Sequence, residues 1–182
     1  MLAPETTHTK RLTLQVLTEE KKEDVLALYN RNRRSFEAFE PTRPQDFYTP
    51  EFHRSMLARE YSMYKRGQFL RYYIYAADAT EPVIGAVNFY FHNDGEPYAE
   101  IGYKVDHNYT GQGIAYEACA AAIDVLTSYY IFRRIDARIH PDNIPSLHVA
   151  GKLGFSEVAF EPKSANILGK DVDLFRYRLR LS

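Results

Sequence analysis

Glu100-Ile-Gly-Tyr-Lys-Val105-Asp-His-Asn-Tyr-Thr110-Gly-Gln-Gly-Ile-Ala115 opens a stretch, running on to Leu126, around which the chain is organised. Glu100 to Val105 alternates polar or small with apolar side chains, the period of a strand. Asp106 to Thr110 is polar and turn-prone. Gly111-Gln112-Gly113 then leads into a run of good helix formers. Ile114, Ala118, Ala121 and Val125 mark one face of that helix, and Ala115, Ala122, Ile123 and Leu126 widen it. The stretch therefore reads strand, glycine turn, helix. The first turn of a helix carries N–H groups with no partner inside the helix, and a partial positive charge. Glycines at that point remove the Cβ atoms that would keep an anion away, so the turn is a candidate diphosphate cradle. A plain tight turn would use the same glycines. Two named cradles are excluded: there is no Gly-x-x-x-x-Gly-Lys-Ser/Thr, and the third glycine of a Gly-x-Gly-x-x-Gly would fall at Tyr116.

Composition narrows the class. At 182 residues the chain is expected to form a single domain over 1–182. A formal net charge of -1 gives no global basic field, so no direct nucleic-acid binding is expected. The single cysteine, Cys119, lies among alanines and reads as a small packing residue; without a partner it points to a reducing, cytoplasmic setting. No apolar run approaches the roughly 20 residues of a membrane span. The six histidines lack metal-ligand spacing, and no metal is expected.

Working outward, Met1 to Thr9 reads as a frayed tail and Arg11 to Leu17 as a first strand. Thr18 caps a helix to about Asn30. Arg31 to Gln45 is basic, aromatic and broken by Pro41 and Pro44. Thr49-Pro50-Glu51 starts a helix whose marked face is Phe52, Met56 and Met63 and which Gly67 ends. Two strands follow, Phe69 to Ala77 and Val83 to Phe91, with a turn over Asp78 to Pro82 and a hairpin signal at Asn93-Asp94-Gly95. After the central helix come a strand at Arg134 to Ile139, a short helix from Asp142-Asn143 ended by Gly154, and closing strands Phe155 to Phe160 and Asp171 to Leu181 around a loop with Pro162 and Gly169. The predicted order is β-α-α-β-β-β-α-β-α-β-β. This is an α+β arrangement: a mixed, mostly antiparallel sheet of about seven strands flanked by helices. A right-handed crossover makes Arg134 to Ile139 parallel to the Glu100 strand.

The Gly111-Gln-Gly113-Ile-Ala115 form after Glu-Ile-Gly-Tyr resembles motif A of the GNAT N-acetyltransferases. Asn143-Ile-Pro-Ser146 followed by Gly154-Phe155 resembles their motif B, in the expected order and spacing. Read alone, Asn143 is also a plain N-cap, and Gly154-Phe155 a C-cap with a core anchor. The resemblance runs from Arg11 to Leu181. It is nearest to the RimJ/RimL branch of ribosomal-protein N-terminal acetyltransferases, through Ser146, Glu117-Ala118 and the Arg31 to Gln45 segment. Two positions depart from the family pattern. Thr110 stands where a Gln or Arg usually precedes the first glycine, which leaves diphosphate neutralisation to backbone amides. Ala150 stands where many members carry a tyrosine acid, which leaves Ser146 as the candidate.

The resemblance implies the GNAT fold and transfer of an acetyl group from acetyl-CoA to a primary amine by direct attack in a ternary complex. Acetyl-CoA would be the co-substrate. Gly111, Gln112, Gly113, Ile114 and Ala115 would hold its diphosphate. Tyr103 and Val105 would meet the pantetheine arm, and Asn143 its amides. Ser146 would sit by the sulfur, the Val105 amide would serve the oxyanion, and Glu100 is the candidate base. Glu100 also reads as an ordinary carboxylate on a surface hairpin. The expected acceptor is a protein N-terminal amine, ribosomal in type. A small-molecule amine (amino acid, polyamine or aminoglycoside) and a non-catalytic acyl-CoA-binding module are the alternatives. No membrane partner is expected, and the chain is expected to be a monomer or homodimer. Arg176, Arg178 and Arg180 read as the solvent side of an edge strand rather than an RNA contact.

Overall fold

The structure, a computed structural model, describes residues 2–77, 79, 81–93 and 95–181. Among the described residues, eight strands form one sheet in the order β1-β2-β3-β4-β5-β6-β8-β7. The strands are β1 Thr6–His8, β2 Leu12–Gln15, β3 Phe69–Ala76, β4 Gly85–His92, β5 Tyr98–Val105, β6 Arg134–Ile139, β7 Ser156–Ile167 and β8 Lys170–Arg180. The helices are α1 Lys22–Arg31, α2 Arg33–Glu37, α3 Pro50–Lys65, α4 Ile114–Tyr129 and α5 Ile144–Lys152. The mixed, mostly antiparallel sheet flanked by helices agrees with the expected GNAT fold. β3, β4 and β5 are antiparallel neighbours, and α4 crosses over to make β6 parallel to β5.

Alternation places the two faces of the sheet in separate cores. Leu12, Leu14, Ile74, Val87, Phe89 and Ala99 join the α4 side, with Ala118, Cys119 and Ala122. Cys119 is buried there, and burial pushes its thiol well above the usual range. Tyr73, Tyr75 and Ala86 join the other side, with Val25, Leu28 and Tyr29 of α1 and Leu57 of α3. The α3 start follows the local signal: Thr49 accepts a bond from the Phe52 N–H at 3.3 Å, with Pro50 in the first turn.

Several expectations are corrected. Residues 1–9 are not a frayed tail over the described part: Thr6–His8 pair with β2, and Ala3 is buried. The Tyr64 and Tyr72 hydroxyls hold this segment by donating to the carbonyls of Ala3 and Pro4 at 2.5 and 2.6 Å. Thr18 makes no side-chain cap; a short 3-10 turn at Glu19–Lys21 precedes α1. The core face of α3 is His53, Leu57 and Tyr64. Of the expected face, Phe52 and Met56 pack against the core around Leu57 from its rim, and with Met63 they also line a cleft. Pro162 lies within β7, beside a register shift between Glu161 and Ala165; an edge strand with a bulge accommodates its missing N–H. β8 is not an edge strand, because it inserts between β6 and β7. Asp78, Thr80 and Asp94, within two of the expected turns, lie outside the described residues.

Candidate active site

β5 and β6 pair only over Tyr98–Glu100 and Arg134–Asp136, although both strands continue beyond. Past Glu100 they part into a V. The backbone groups inside the V follow from the antiparallel register with β4. The Asp106 N–H bonds the Ile84 carbonyl at 2.8 Å. Alternating from there, the even-numbered residues of β5 turn their backbone groups to β4, and Ile101, Tyr103 and Val105 turn theirs into the V. Tyr103 and Val105 therefore offer main-chain donors and acceptors that no strand takes up.

The V opens into a cleft of about 1270 Å³, larger than the usual pocket of about 300–1,000 Å³ for a single small ligand. Glu100, Tyr103, Val105, Ala115, Asn143 and Ser146 all line it. The walls come from α3, from the segment after α2, and from the β7–β8 hairpin. Thr42 ties the last two together: its N–H donates to the Asn166 carbonyl at 3.0 Å, its hydroxyl to Asn166 Oδ1 at 3.1 Å, and it accepts from the Gly169 N–H at 3.3 Å.

Beyond the open end of the V, after Val105, Gly111, Gln112, Gly113 and Ile114 sit at the adjoining turn rather than among the lining residues. Gly111 and Gly113 have φ of +74° and +77°, the left-handed region that favours glycine. A Cβ added to Gly111 would meet nothing within 4 Å. Gly113 is the N-cap of α4 and has no capping side chain, and the first helical bond runs from the Glu117 N–H to the Gly113 carbonyl at 3.1 Å. The amides of Ile114, Ala115 and Tyr116 are thus left without partners inside the helix. An open, uncapped, glycine-faced helix start fits a diphosphate.

At the start of α5, Asn143 Oδ1 accepts from the Ser146 N–H at 3.3 Å. Asn143 is thus an N-cap whose amide NH₂ remains for other work. Gly154 has φ +85° and Phe155 is buried, so the C-cap and core-anchor reading also holds. Glu100 is paired: Arg138 donates to its Oε1 from Nε at 3.1 Å and from Nη2 at 2.9 Å. Two further carboxylates line the cleft, each with a basic partner. Glu40 meets Lys104 at 2.6 Å and also Arg43, and Glu60 meets Arg71.

Five arginines of the 31–45 segment and of β8 have internal partners. Arg31 is bonded to Asp106 and to the Val83 carbonyl. Arg33 stacks on Tyr48 at 4.2 Å, and Arg43 on Phe47 at 3.9 Å. Arg176 meets Glu161, and Arg178 forms a two-pronged pair with Asp136 at 2.8 Å on each prong. Sequence reading missed Arg11, which reaches across from the start of β2 to the glycine turn. Its Nη1 donates to the Gln112 carbonyl at 3.0 Å and its Nε to Glu117 at 2.6 Å. Nothing local marks it, since the partners are about a hundred residues apart. Among the described residues no group of three His, Cys, Asp or Glu could hold a metal, and no helix is long and apolar enough to cross a membrane.

Comparison with known proteins agrees with this geometry. The sequence profile of the acetyltransferase (GNAT) domain matches residues 11–156. The chain is 30% identical over 148 residues to a probable N-acetyltransferase, YjcK, of Bacillus subtilis, covering 81% of each chain. It is 26% identical over 153 residues to the [ribosomal protein uS5]-alanine N-acetyltransferase of Escherichia coli, covering 84% of this chain and 78% of the other. Its fold matches that of Mycobacterium smegmatis RimJ, solved with a CoA-disulfide, at TM-score 0.86 and 21% identity, over 93% of this chain and 81% of that one. The chain belongs to the GNAT acetyltransferase family and is an N-acetyltransferase.

Proposed function

We propose that this N-acetyltransferase moves the acetyl group of acetyl-CoA to the N-terminal α-amine of a protein of ribosomal type, by direct attack with both reactants bound. The observation that carries the choice of acceptor is the charge of the cleft. Its three carboxylates, Glu40, Glu60 and Glu100, are each paired with Lys104, Arg43, Arg71 or Arg138. A site that recruits polyamines or aminoglycosides needs carboxylates free to meet several ammonium groups; here they are already taken. Support also comes from the Escherichia coli relative, an alanine N-acetyltransferase of ribosomal protein uS5.

The residues then take the following roles. Bound acetyl-CoA supplies the activated acetyl thioester. The amides of Gly111 to Ala115 hold its diphosphate, and the backbone of Tyr103 and Val105, with the Asn143 amide, aligns the pantetheine arm. An α-amine has a pKa near ~7.7–8.0 and must be neutral to attack. Glu100 takes the proton that the amine loses on attack, directly or through water. The Val105 N–H donates to the carbonyl oxygen as negative charge gathers there. Ser146 donates to the departing sulfur. Holding both reactants in one cleft contributes several kcal/mol by itself, about 7–11 at the limit.

The test is thiol release from acetyl-CoA with peptides that differ in their first residue, the same peptides N-blocked, free amino acids, polyamines and aminoglycosides. Release with free but not blocked peptides is expected. Release only with small amines would discard the protein acceptor, and binding of acetyl-CoA without release to any acceptor would favour a non-catalytic module.

A further inference from the structure

The turn from Asp106 to Gly113 is held at both ends by side chains from the first part of the chain. At the strand end, Asn32 is almost wholly buried, at 1% exposure. Its Oδ1 accepts from the His107 N–H at 2.8 Å and lies 2.8 Å from His107 Nδ1, while its Nδ2 donates to the Leu28 carbonyl at 2.9 Å. The neighbouring Arg31 is bonded to the buried carboxylate of Asp106. At the helix end, Arg11 donates to the Gln112 carbonyl at 3.0 Å. The Arg11 guanidinium is anchored on Glu117, which also accepts from the Thr9 hydroxyl at 2.5 Å and the Arg11 N–H at 3.2 Å.

Within the turn, bonds are short-range: the Asn108 N–H to Asp106 Oδ1 at 3.0 Å, and Gln112 Nε2 to the Asn108 carbonyl at 3.0 Å. These bonds do not by themselves fix the two left-handed glycines, which in a free chain sample many conformations. A cradle made of backbone amides binds an anion well only when its N–H groups already converge, because the ordering cost is otherwise taken from the binding energy. The outside tethers supply that order. Arg11 also lies against the cradle itself: its Nη2, paired with Glu117 at 2.5 Å, is 3.6 Å from the place a Cβ on Gly113 would occupy.

We infer that Asn32 and Arg11 are positioning residues that hold the 106–113 turn in its diphosphate-binding shape. The inference rests on the diphosphate reading of the glycine turn proposed above. It predicts an effect confined to the diphosphate end of the ligand.

The experiment is calorimetric titration of the full chain with CoA and, separately, with S-acetyl-pantetheine, which lacks the diphosphate and adenosine. Asn32→Ala and Arg11→Ala should each weaken CoA binding about fivefold to tenfold, the loss of about one hydrogen bond. Acetyl-pantetheine binding should stay within about twofold of the parent. Arg11 is half exposed, so its variant keeps the test alive if Asn32→Ala does not fold. Unchanged CoA affinity in both variants, or equal weakening of both ligands, would overturn the inference. A parent chain that binds the two ligands equally well would remove the cradle reading itself, and the inference with it.

Discussion

The hydroxyl of Tyr103 donates a hydrogen bond to the main-chain carbonyl of Ser146 at 3.0 Å, tying the middle of β5 to the first turn of α5 across the gap where β5 and β6 part. Burial raises the Tyr103 phenol well above its usual range, so it stays protonated and remains a donor. The bond sets how far Ser146 stands from the backbone of Tyr103 and Val105. Ser146→Ala should lower turnover by about a hundredfold, with acetyl-CoA affinity unchanged. Tyr103→Phe should lower it by about fivefold to tenfold, and by little more once Ser146 is alanine. Equal effects of Tyr103→Phe in both backgrounds would mean that the tyrosine does not act through Ser146.

Glu100 faces the cleft with one oxygen held by Arg138. Glu100→Gln keeps the shape and removes the base. The acid limb of the kcat/KM profile should move or vanish, and the rate at neutral pH should fall by about a hundredfold. An unmoved profile would assign the proton to another group or to water.

His53 gives the fold an acid sensitivity. It is wholly buried against Tyr29, Phe47 and Phe52. Among the described residues neither ring nitrogen makes a hydrogen bond of normal geometry, although the Phe47 backbone lies near. Burial, with the Arg43 charge beside it, lowers its pKa from 6.5 to about 4. Below pH 6.5 the unfolded chain takes up a proton that the folded chain refuses until about pH 4. Stability from this residue is therefore complete above pH 6.5 and falls as pH drops toward 4, by at most about 3 kcal/mol. Urea unfolding at pH 7 and pH 5 should show a loss in the parent that His53→Leu abolishes. A parallel loss in the variant would place the sensitivity elsewhere.

The two arginine pairs on β8 should differ in weight. Asp136 is buried and receives both prongs of Arg178. Asp136→Ala leaves that guanidinium without its partner and should cost about 3 kcal/mol in urea unfolding. Arg176 is 40% exposed in its pair with Glu161, so Arg176→Ala should cost less than about 1 kcal/mol. Similar losses in the two variants would contradict this ordering.

What the residues determined by themselves was local. The strand-turn-helix around Gly111 and Gly113, the Thr49-Pro50 helix start and the Asn143 cap depend on backbone geometry and on partners three or four residues away, so each was legible in order along the chain. So was the parallel crossover, because chirality leaves one choice. The tertiary structure decided whatever depends on partners far apart in sequence. The insertion of β8 inside the sheet, with its arginines spent on Asp136 and Glu161, is a matter of strand order, which alternation does not encode. How Phe52, Met56 and Met63 divide between core and cleft was not legible, because an apolar pattern is the same whether it faces a core or a substrate. Arg11, Arg31 and Asn32 acquire their places at the glycine turn only when β2 and α1 are packed beside it. Tyr103 meets Ser146 only because β5 and β6 part after Glu100, leaving a gap that one side chain spans.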